Sequence, residues 1–403
     1  RGRVEMRWAT TAWIGATLLV LAAPAAAESP IPEGDTAPEE EAAPDEAPPK
    51  PFRLEIASPD GRYRMRFGLV AQAWLRYRED WRSAAGPSDR DVLVEFRRIR
   101  LLLSGNAFTP DFAYKLQLSF LPGQFEMLDL YGDYSFTPGV RLRFGVWKIP
   151  FTRFRTRSFS DRQLVDWPIV SQIFGAERQL GIALHDGYAD RSPPPFEWAF
   201  GVFTGVNTRS SHGVGASMLF PADEEVESLP IHPELVARVG CNHRGIDTKG
   251  EGDLEGGRPD PGPFRFAVHL SAAWDLQPTP GQDWGIRAAL EGLMKVSGYS
   301  LSLGGYLATI QDGPSPARQR PGAVGLWAGT GVVIARRVEI SGQYAFVRPL
   351  DRSASSHEPR IGLGVFILGR RVQWRTDLGA QIACDEGEGN TDVQVRSLIQ
   401  MAI

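Results

Sequence analysis

Arginine occurs at every second position in part of the segment VWKIPFTRFRTRSF, which covers residues 146–159. In an extended chain Arg153, Arg155 and Arg157 would share one side, because side chains alternate between the two faces of a strand. A guanidinium group stays charged and can grip a carboxylate or a phosphate through two parallel hydrogen bonds. The segment therefore predicts contact with anions.

Basic side chains also share the polar faces of three segments whose other faces are apolar. They are Arg98 and Arg100 in 94–108, Lys115 in 112–121, and Arg141 and Arg143 in 140–151. Residues 62–178 hold 17 arginines and two lysines against 12 aspartates and glutamates, although the whole chain has a formal net charge of −4. A basic surface raises the local concentration of anions. Anion binding is thus predicted, and ion pairing with Asp129 and Asp133 is the alternative.

The elements that carry these residues alternate between apolar and polar positions over unusual lengths. The segment YRMRFGLVAQAWLRY at 63–77 alternates over about fifteen residues, whereas strands of soluble proteins commonly have about five or six. Sixteen such segments can be counted, at 63–79, 92–107, 112–121, 125–136, 139–149, 177–186, 196–206, 232–241, 264–275, 284–295, 298–309, 322–334, 337–347, 358–368, 371–383 and 391–402.

The links between these segments alternate in length. Tight turns are expected at 109–111, 137–139, 296–298, 335–337 and 369–371, and longer links at 80–91, 150–176, 207–231, 276–283, 310–321, 348–357 and 384–390. This pattern predicts an all-β fold, a transmembrane antiparallel β-barrel of about 16 strands with long extracellular loops and short periplasmic turns. The barrel must close, since an unpaired strand edge is not tolerated in lipid. A soluble β-sandwich is the alternative, but its strands should be shorter.

The N-terminal part of the chain differs from the rest in composition. Residues 1–27, with a start at Met6, have the layout of a secretory signal peptide, although a membrane anchor is the rival interpretation. Residues 28–61 are rich in Pro, Glu and Ala and predict a disordered periplasmic linker. The barrel domain is then 62–403.

Other chemistry is poorly represented. The only two cysteines, Cys241 and Cys384, are far apart in sequence, and spacing alone does not decide whether they pair. The nucleotide, zinc and serine-hydrolase motifs are missing, so we expect no enzyme, no catalytic residue, no cofactor and no metal site. No nucleic-acid signature accompanies the local basicity.

The segments FRRIRLLLSGNAFTPDFAYKLQLSF, LRFGVWKIPF and IFGAERQLGIALHDG, in this order and spacing, resemble the phosphate-selective porin O and P family. The resemblance implies a sixteen-stranded outer-membrane barrel, commonly a trimer, whose lumen arginines and lysines pass phosphate or polyphosphate. It places Arg98 and Arg100 on the family's RR-x-R strand. It also places Lys148 on the K-x-PF element, which adds Lys148 to the pore-lining candidates.

These observations predict a porin for the passive diffusion of anions, with phosphate or polyphosphate preferred, in the outer membrane of a Gram-negative bacterium. Expected partners are inorganic phosphate or other small anions, outer-membrane lipid and lipopolysaccharide, and two further copies in a homotrimer. The 150–176 link should fold inward, so that Arg153, Arg155 and Arg157 lie at the constriction. Binding of lipopolysaccharide phosphates by these arginines is the alternative. A general or sugar porin with ion-paired arginines, and less so a barrel enzyme or adhesin, are the rival functions.

Overall fold

The structure is a computed structural model of the chain. It describes residues 54–82, 86–121, 124–175, 178–188, 194–204, 233–246, 262–276, 285–310, 322–335, 337–350, 353–385 and 388–403. The expected signal peptide, 1–27, and the linker as far as residue 53 lie outside the described residues.

A short strand precedes sixteen long ones. The strands are β1 (Glu55–Ala57), β2 (Arg64–Arg82), β3 (Gly86–Asn106), β4 (Phe112–Leu121), β5 (Gln124–Thr137), β6 (Val140–Lys148), β7 (Arg178–His185), β8 (Phe196–Phe203), β9 (Glu234–His243), β10 (Arg265–Asp275), β11 (Gly285–Val296), β12 (Tyr299–Ile310), β13 (Ala323–Ala335), β14 (Val338–Pro349), β15 (Ser355–Arg370), β16 (Val372–Asp385) and β17 (Glu388–Ala402). Each of the sixteen predicted segments corresponds to one of β2–β17.

The sixteen strands form a closed ring. Each strand from β2 to β17 pairs antiparallel with the next along the chain, and β17 pairs back onto β2 from Asn390 opposite Arg82 to Ala402 opposite Val70. The predicted 16-strand antiparallel barrel is therefore confirmed. We call the end with the turns β3–β4, β5–β6, β11–β12, β13–β14 and β15–β16 the turn end, and the opposite end the loop end.

The two faces of the barrel wall have opposite character. Apolar side chains such as Leu69, Leu101, Leu290 and Leu303 point outward, and Leu290 and Leu303 are more than half exposed. On β6, Gly145 has a φ of +123°, and a Cβ there would lie 2.3 Å from the carbonyl oxygen of the neighbouring Leu130. Only glycine fits this close approach of backbone to backbone. The outward-pointing leucines confirm the predicted alternation of lipid and lumen faces.

Three features differ from or add to the expectations. The link expected at 80–91 is mostly strand, because β2 continues to Arg82 and β3 begins at Gly86. β1 lies in the range assigned to the linker, where Glu55 forms ion pairs with Arg64 at 3.2 Å and Arg66 at 2.8 Å. Both cysteines are free and exposed.

In the described residues, two short helices interrupt the strands. They are α1 (Arg153–Thr156) and α2 (Ile169–Phe174), and a 3-10 turn at Phe159–Asp161 lies between them. In the described part of the chain no helix has the length and apolar character needed to cross a membrane.

Candidate functional site

The segment 149–175, which follows β6 and contains both helices, folds into the barrel; we call it the inner loop. Its aromatic side chains pack on the wall formed by β12 and β13. Phe154 meets Trp327 edge to face with ring centres 4.4 Å apart, and Phe174 stacks on Tyr306 at 5.6 Å. Phe154 and Phe174 are both almost fully buried. These aromatic contacts place the inner loop against the lumen side of the wall.

Lumen carboxylates fix the inner loop in place. Three of them accept hydrogen bonds from its backbone N–H groups, namely Glu291 from Arg153 at 2.5 Å, Asp377 from Val165 at 2.7 Å and Glu358 from Ile169 at 2.6 Å. These carboxylates lie on β11, β15 and β16. A carboxylate bond to a backbone N–H is charge-assisted and stronger than one between neutral groups. The loop is therefore attached to one half of the barrel wall.

A cavity of about 660 Å³ lies between the inner loop and the other half of the wall, β2–β7, and residues of both line it. Among the residues that the structure describes, its lining contains nine basic side chains and two carboxylates, Asp133 and Asp161. The basic residues are Arg64, Arg66, Arg100, Lys115, Arg141, Arg143, Lys148, Arg157 and Arg178. We call this space the basic cavity. Six of the nine predicted pore-lining residues line it.

Two aspartates on β5 neutralise part of this charge. Asp129 accepts hydrogen bonds from Lys115 at 2.8 Å and from Arg178 at 2.5 Å. Asp133 forms a close ion pair with Arg143. The ion pairing foreseen as the alternative thus exists, but it involves only some of the basic residues.

Arg100 and Lys148 differ from these pairs. The guanidinium carbon of Arg100 lies 4.2 Å from the centre of the Phe159 ring, and the Lys148 ammonium donates a 2.8 Å hydrogen bond to the carbonyl oxygen of Arg157. Within the part of the chain that the structure describes, neither cation is ion-paired with a carboxylate. Neither cation is therefore neutralised by a carboxylate of the described residues.

The expected one-sided arrangement of Arg153, Arg155 and Arg157 is wrong. Residues 153–156 form a helical turn, in which positions two apart point in nearly opposite directions. Arg153 is buried beneath the loop, and Arg155 donates to the carbonyl oxygen of Ser171 at 2.9 and 3.1 Å. Only Arg157 lines the basic cavity.

Arg98 faces the lumen as expected but lies outside the basic cavity. Its guanidinium group donates to Gln72 at 3.1 Å and lies 4.0 Å from Asp166 of the inner loop. Burial alone would raise the pKa of Asp166, but the guanidinium groups of Arg162, Arg396 and Arg98 outweigh burial and keep the pKa below its ordinary value. Arg98 therefore belongs to an ion-pair network around Asp166, beside the basic cavity.

Sequence reasoning missed three residues of the site. Arg64 and Arg66 share the polar face of β2 that the alternation predicts, so their pattern was sufficient to include them. Arg178 gave no such signal, because its neighbours Leu180 and Ile182 at alternate positions point outward. It turns inward at the end of its strand, directly opposite Lys148 in the β6–β7 ladder.

Several basic groups elsewhere in the lumen are ion-paired. Arg287 forms a close ion pair with Glu234, and Asp377 accepts from Arg360 at 3.2 Å and Arg396 at 2.8 Å. Two histidines in the lumen also have partners: His185 contacts Asp133 at 3.2 Å, and His269 contacts Glu197 at 2.7 Å. Ion pairs with carboxylates thus occur on this side of the lumen as well.

A closed sixteen-stranded barrel with an inward-folded loop is the architecture of a porin. Solved porin structures share this fold at low sequence identity. They include the outer membrane channel DcaP of Acinetobacter baumannii (TM-score 0.56, 12% identity, covering 86% of this chain and 99% of that one) and OmpF of Salmonella typhi in complex with daunomycin (0.55, 9%, 87% and 100%). The anion-selective porin of Comamonas acidovorans also matches (0.53, 13%, 84% and 99%).

The model of the family described as phosphate-selective porin O and P matches residues 75–224. This match confirms the family resemblance found in the sequence, and it spans most of the strands that line the basic cavity. No curated protein sequence matches the chain. Family and fold together support an outer-membrane porin, a channel rather than an enzyme.

Proposed function

We propose that the barrel passes small anions, phosphate among them, by passive diffusion across the outer membrane of a Gram-negative bacterium. The observation that carries the proposal is the basic cavity, whose described lining contains nine basic side chains and two carboxylates. Clefts of one charge sign concentrate counter-ions and raise their rate of entry. The inner loop narrows the lumen and directs solutes along this wall.

The mechanism is a series of weak contacts. Guanidinium and ammonium groups replace part of an anion's hydration shell, strongly enough to admit it and weakly enough to release it. Arg100, Lys148 and Arg157 provide the contacts near the inner loop. Arg64, Arg66 and Arg141 continue the series toward the turn end. Arginine suits phosphate because its planar donor groups match two phosphate oxygens at once.

A general or sugar porin is the second candidate, and the ion pairs of Asp129 and Asp133 are the observation that favours it. In that case the basic charge would serve to hold the wall together, and small neutral solutes would pass as readily as anions. Selectivity separates the two functions. We expect a reversal potential that indicates anion preference across a KCl gradient, and a fall in chloride current when millimolar phosphate is added.

We also propose that the barrel assembles as a homotrimer, as the family resemblance implies, and that lipid and lipopolysaccharide surround it. Mass measurement of the detergent-solubilised protein by light scattering tests the trimer, with a mass of one barrel as the contradictory result.

A further inference from the structure

A cluster of polar and aromatic side chains occupies the outer face of the barrel near the loop end. Tyr344, Phe346 and Arg348 follow one another at alternate positions of β14, and Phe346 lies opposite His357 of β15. The residues between them, such as Ala345 and Glu358, are fully buried on the inner side. The cluster therefore points away from the lumen and has no part in the basic cavity.

Hydrogen bonds hold the polar atoms of this cluster in place. The Tyr344 hydroxyl lies 2.7 Å from His357 Nδ1, and the Ser355 hydroxyl lies 3.2 Å from His357 Nε2. A neutral imidazole donates through one nitrogen and accepts through the other. One of the two hydroxyls consequently accepts from the ring and keeps its own proton for an external acceptor. With the exposed guanidinium group of Arg348 nearby, the cluster offers donors and positive charge.

An apolar groove of about 270 Å³ lies closer to the turn end, on β14 and β15 and on the neighbouring strands β16 and β17. Its apolar lining side chains are Ile340, Ile361, Leu363, Leu378 and Val395. Ile361 is four residues from His357 along β15, a separation of about 13 Å. The groove and the polar cluster thus form one elongated surface.

Gly342 connects the two parts of this surface. It lies between Ile340 and Tyr344 on the outer face of β14 and pairs with Ile361. A Cβ at this position would meet only the carbonyl oxygen of Arg360, at 3.8 Å, so there is open space where a side chain would stand. A hydrocarbon chain can therefore continue from the groove to the hydroxyl groups.

The depth of the surface matches the bilayer. The apolar band of an outer-membrane barrel is about 25 Å tall, and strands tilt by about 35–45°. Ile361 is nine residues from the turn-end limit of β15, which places it about 20–25 Å above that limit. The groove thus lies in the outer-leaflet half of the band, and the polar cluster lies at headgroup level.

We propose that this surface binds one acyl lipid with an anionic phosphate headgroup. An acyl chain occupies the groove and passes over Gly342, while the phosphate accepts hydrogen bonds from a hydroxyl group and faces Arg348. The chemistry follows from the apolar groove, the cationic and donor groups beside it, and their depth. This site is separate from the proposed channel function.

Native mass spectrometry of the detergent-solubilised full chain tests the proposal, with phosphatidylglycerol and phosphatidylcholine of the same acyl chains as probes. We expect one retained phosphatidylglycerol and at least about fivefold weaker retention of phosphatidylcholine. Arg348→Ala should weaken phosphatidylglycerol about tenfold, the usual effect of losing a charged hydrogen-bond partner. Gly342→Leu should weaken both lipids by filling the groove.

Gly292→Leu is the matched control, because Gly292 of β11 has comparable open space around its Cβ position. It should retain phosphatidylglycerol like the wild type. Circular dichroism checks that each variant is folded. If a variant does not fold, Tyr344→Phe is used in its place, because it keeps the aromatic ring. Equal retention of the two lipids by the wild type would overturn the headgroup assignment. Unchanged retention by folded Gly342→Leu, or equal loss in Gly292→Leu, would overturn the site.

Discussion

The ammonium group of Lys148, at the end of β6, donates a 2.8 Å hydrogen bond to the backbone carbonyl oxygen of Arg157 in the inner loop. This bond ties the end of the strand to the loop that follows it. It also brings the Lys148 and Arg157 side chains to the same cavity, beside Arg100. A wall residue and a loop residue thereby line the same part of the basic cavity.

Lys148→Met should reduce anion preference, because it removes both a cation and the bond to Arg157. At about 6 Å in water one charge contributes about 0.7 kcal/mol, or roughly a threefold change in the chloride-to-potassium permeability ratio. Lys148→Arg should retain the preference. Reversal potentials in planar bilayers measure both variants, and equal ratios for methionine and arginine would contradict the role of the charge.

Arg100→Ala and Arg98→Ala form a matched pair, since both residues lie on the lumen face of β3 two positions apart. Arg100 lines the basic cavity, whereas Arg98 lies beside Asp166 outside it. We expect Arg100→Ala to lower anion preference about threefold and Arg98→Ala to change it little. The same reversal-potential measurement decides, and a larger effect of Arg98→Ala would show that the solute path lies elsewhere.

The sequence predicts the wall of this barrel better than its interior. The alternation of apolar and polar residues determines which side chains face lipid. The positions of the strands and the inward direction of Arg100 and Arg143 therefore follow from the local sequence pattern alone. The inner loop has no such constraint. Its conformation depends on distant partners such as Glu291 and Trp327, and the local helical turn at Arg153 redirects arginines that alternate in sequence. Arg178 turns inward at a strand end, where alternation is no longer a reliable guide.

Asp129→Asn should increase anion preference. It removes the carboxylate shared by Lys115 and Arg178 and leaves both cations in the wall. The permeability ratio should rise about threefold, and added phosphate should reduce chloride current at lower concentration. Asp392→Asn is the control, because Asp392 pairs with Arg78 outside the basic cavity. An equal rise in both variants would indicate a general charge effect.

Glu291→Gln should loosen the inner loop. The carboxylate accepts from the Arg153 backbone at 2.5 Å and from the Tyr306 hydroxyl at 2.9 Å, and a bond to a charged group contributes about 1.5–3 kcal/mol. Single-channel traces should show higher conductance and more frequent closures. Wild-type conductance without additional closures would mean that the hydrogen bonds of Glu291 are not needed to hold the inner loop.

Gly325→Leu should displace the inner loop from the wall. A Cβ at Gly325 would lie 2.4 Å from the ring of Phe174, so a larger side chain cannot coexist with the present position of α2. Overpacking of this kind typically costs about 1–3 kcal/mol. Conductance should change in Gly325→Leu and stay constant in Gly305→Leu, where only Leu326 is near, at 4.0 Å.

We infer that the basic cavity makes this porin selective for anions. The most direct test is the reversal potential of the wild-type channel across a KCl gradient, repeated for the triple variant Arg100→Ala, Lys148→Met and Arg157→Ala. We predict clear anion selectivity in the wild type and a loss of most of it in the folded triple variant. A wild-type channel that prefers potassium, or a triple variant as anion-selective as the wild type, would contradict the account.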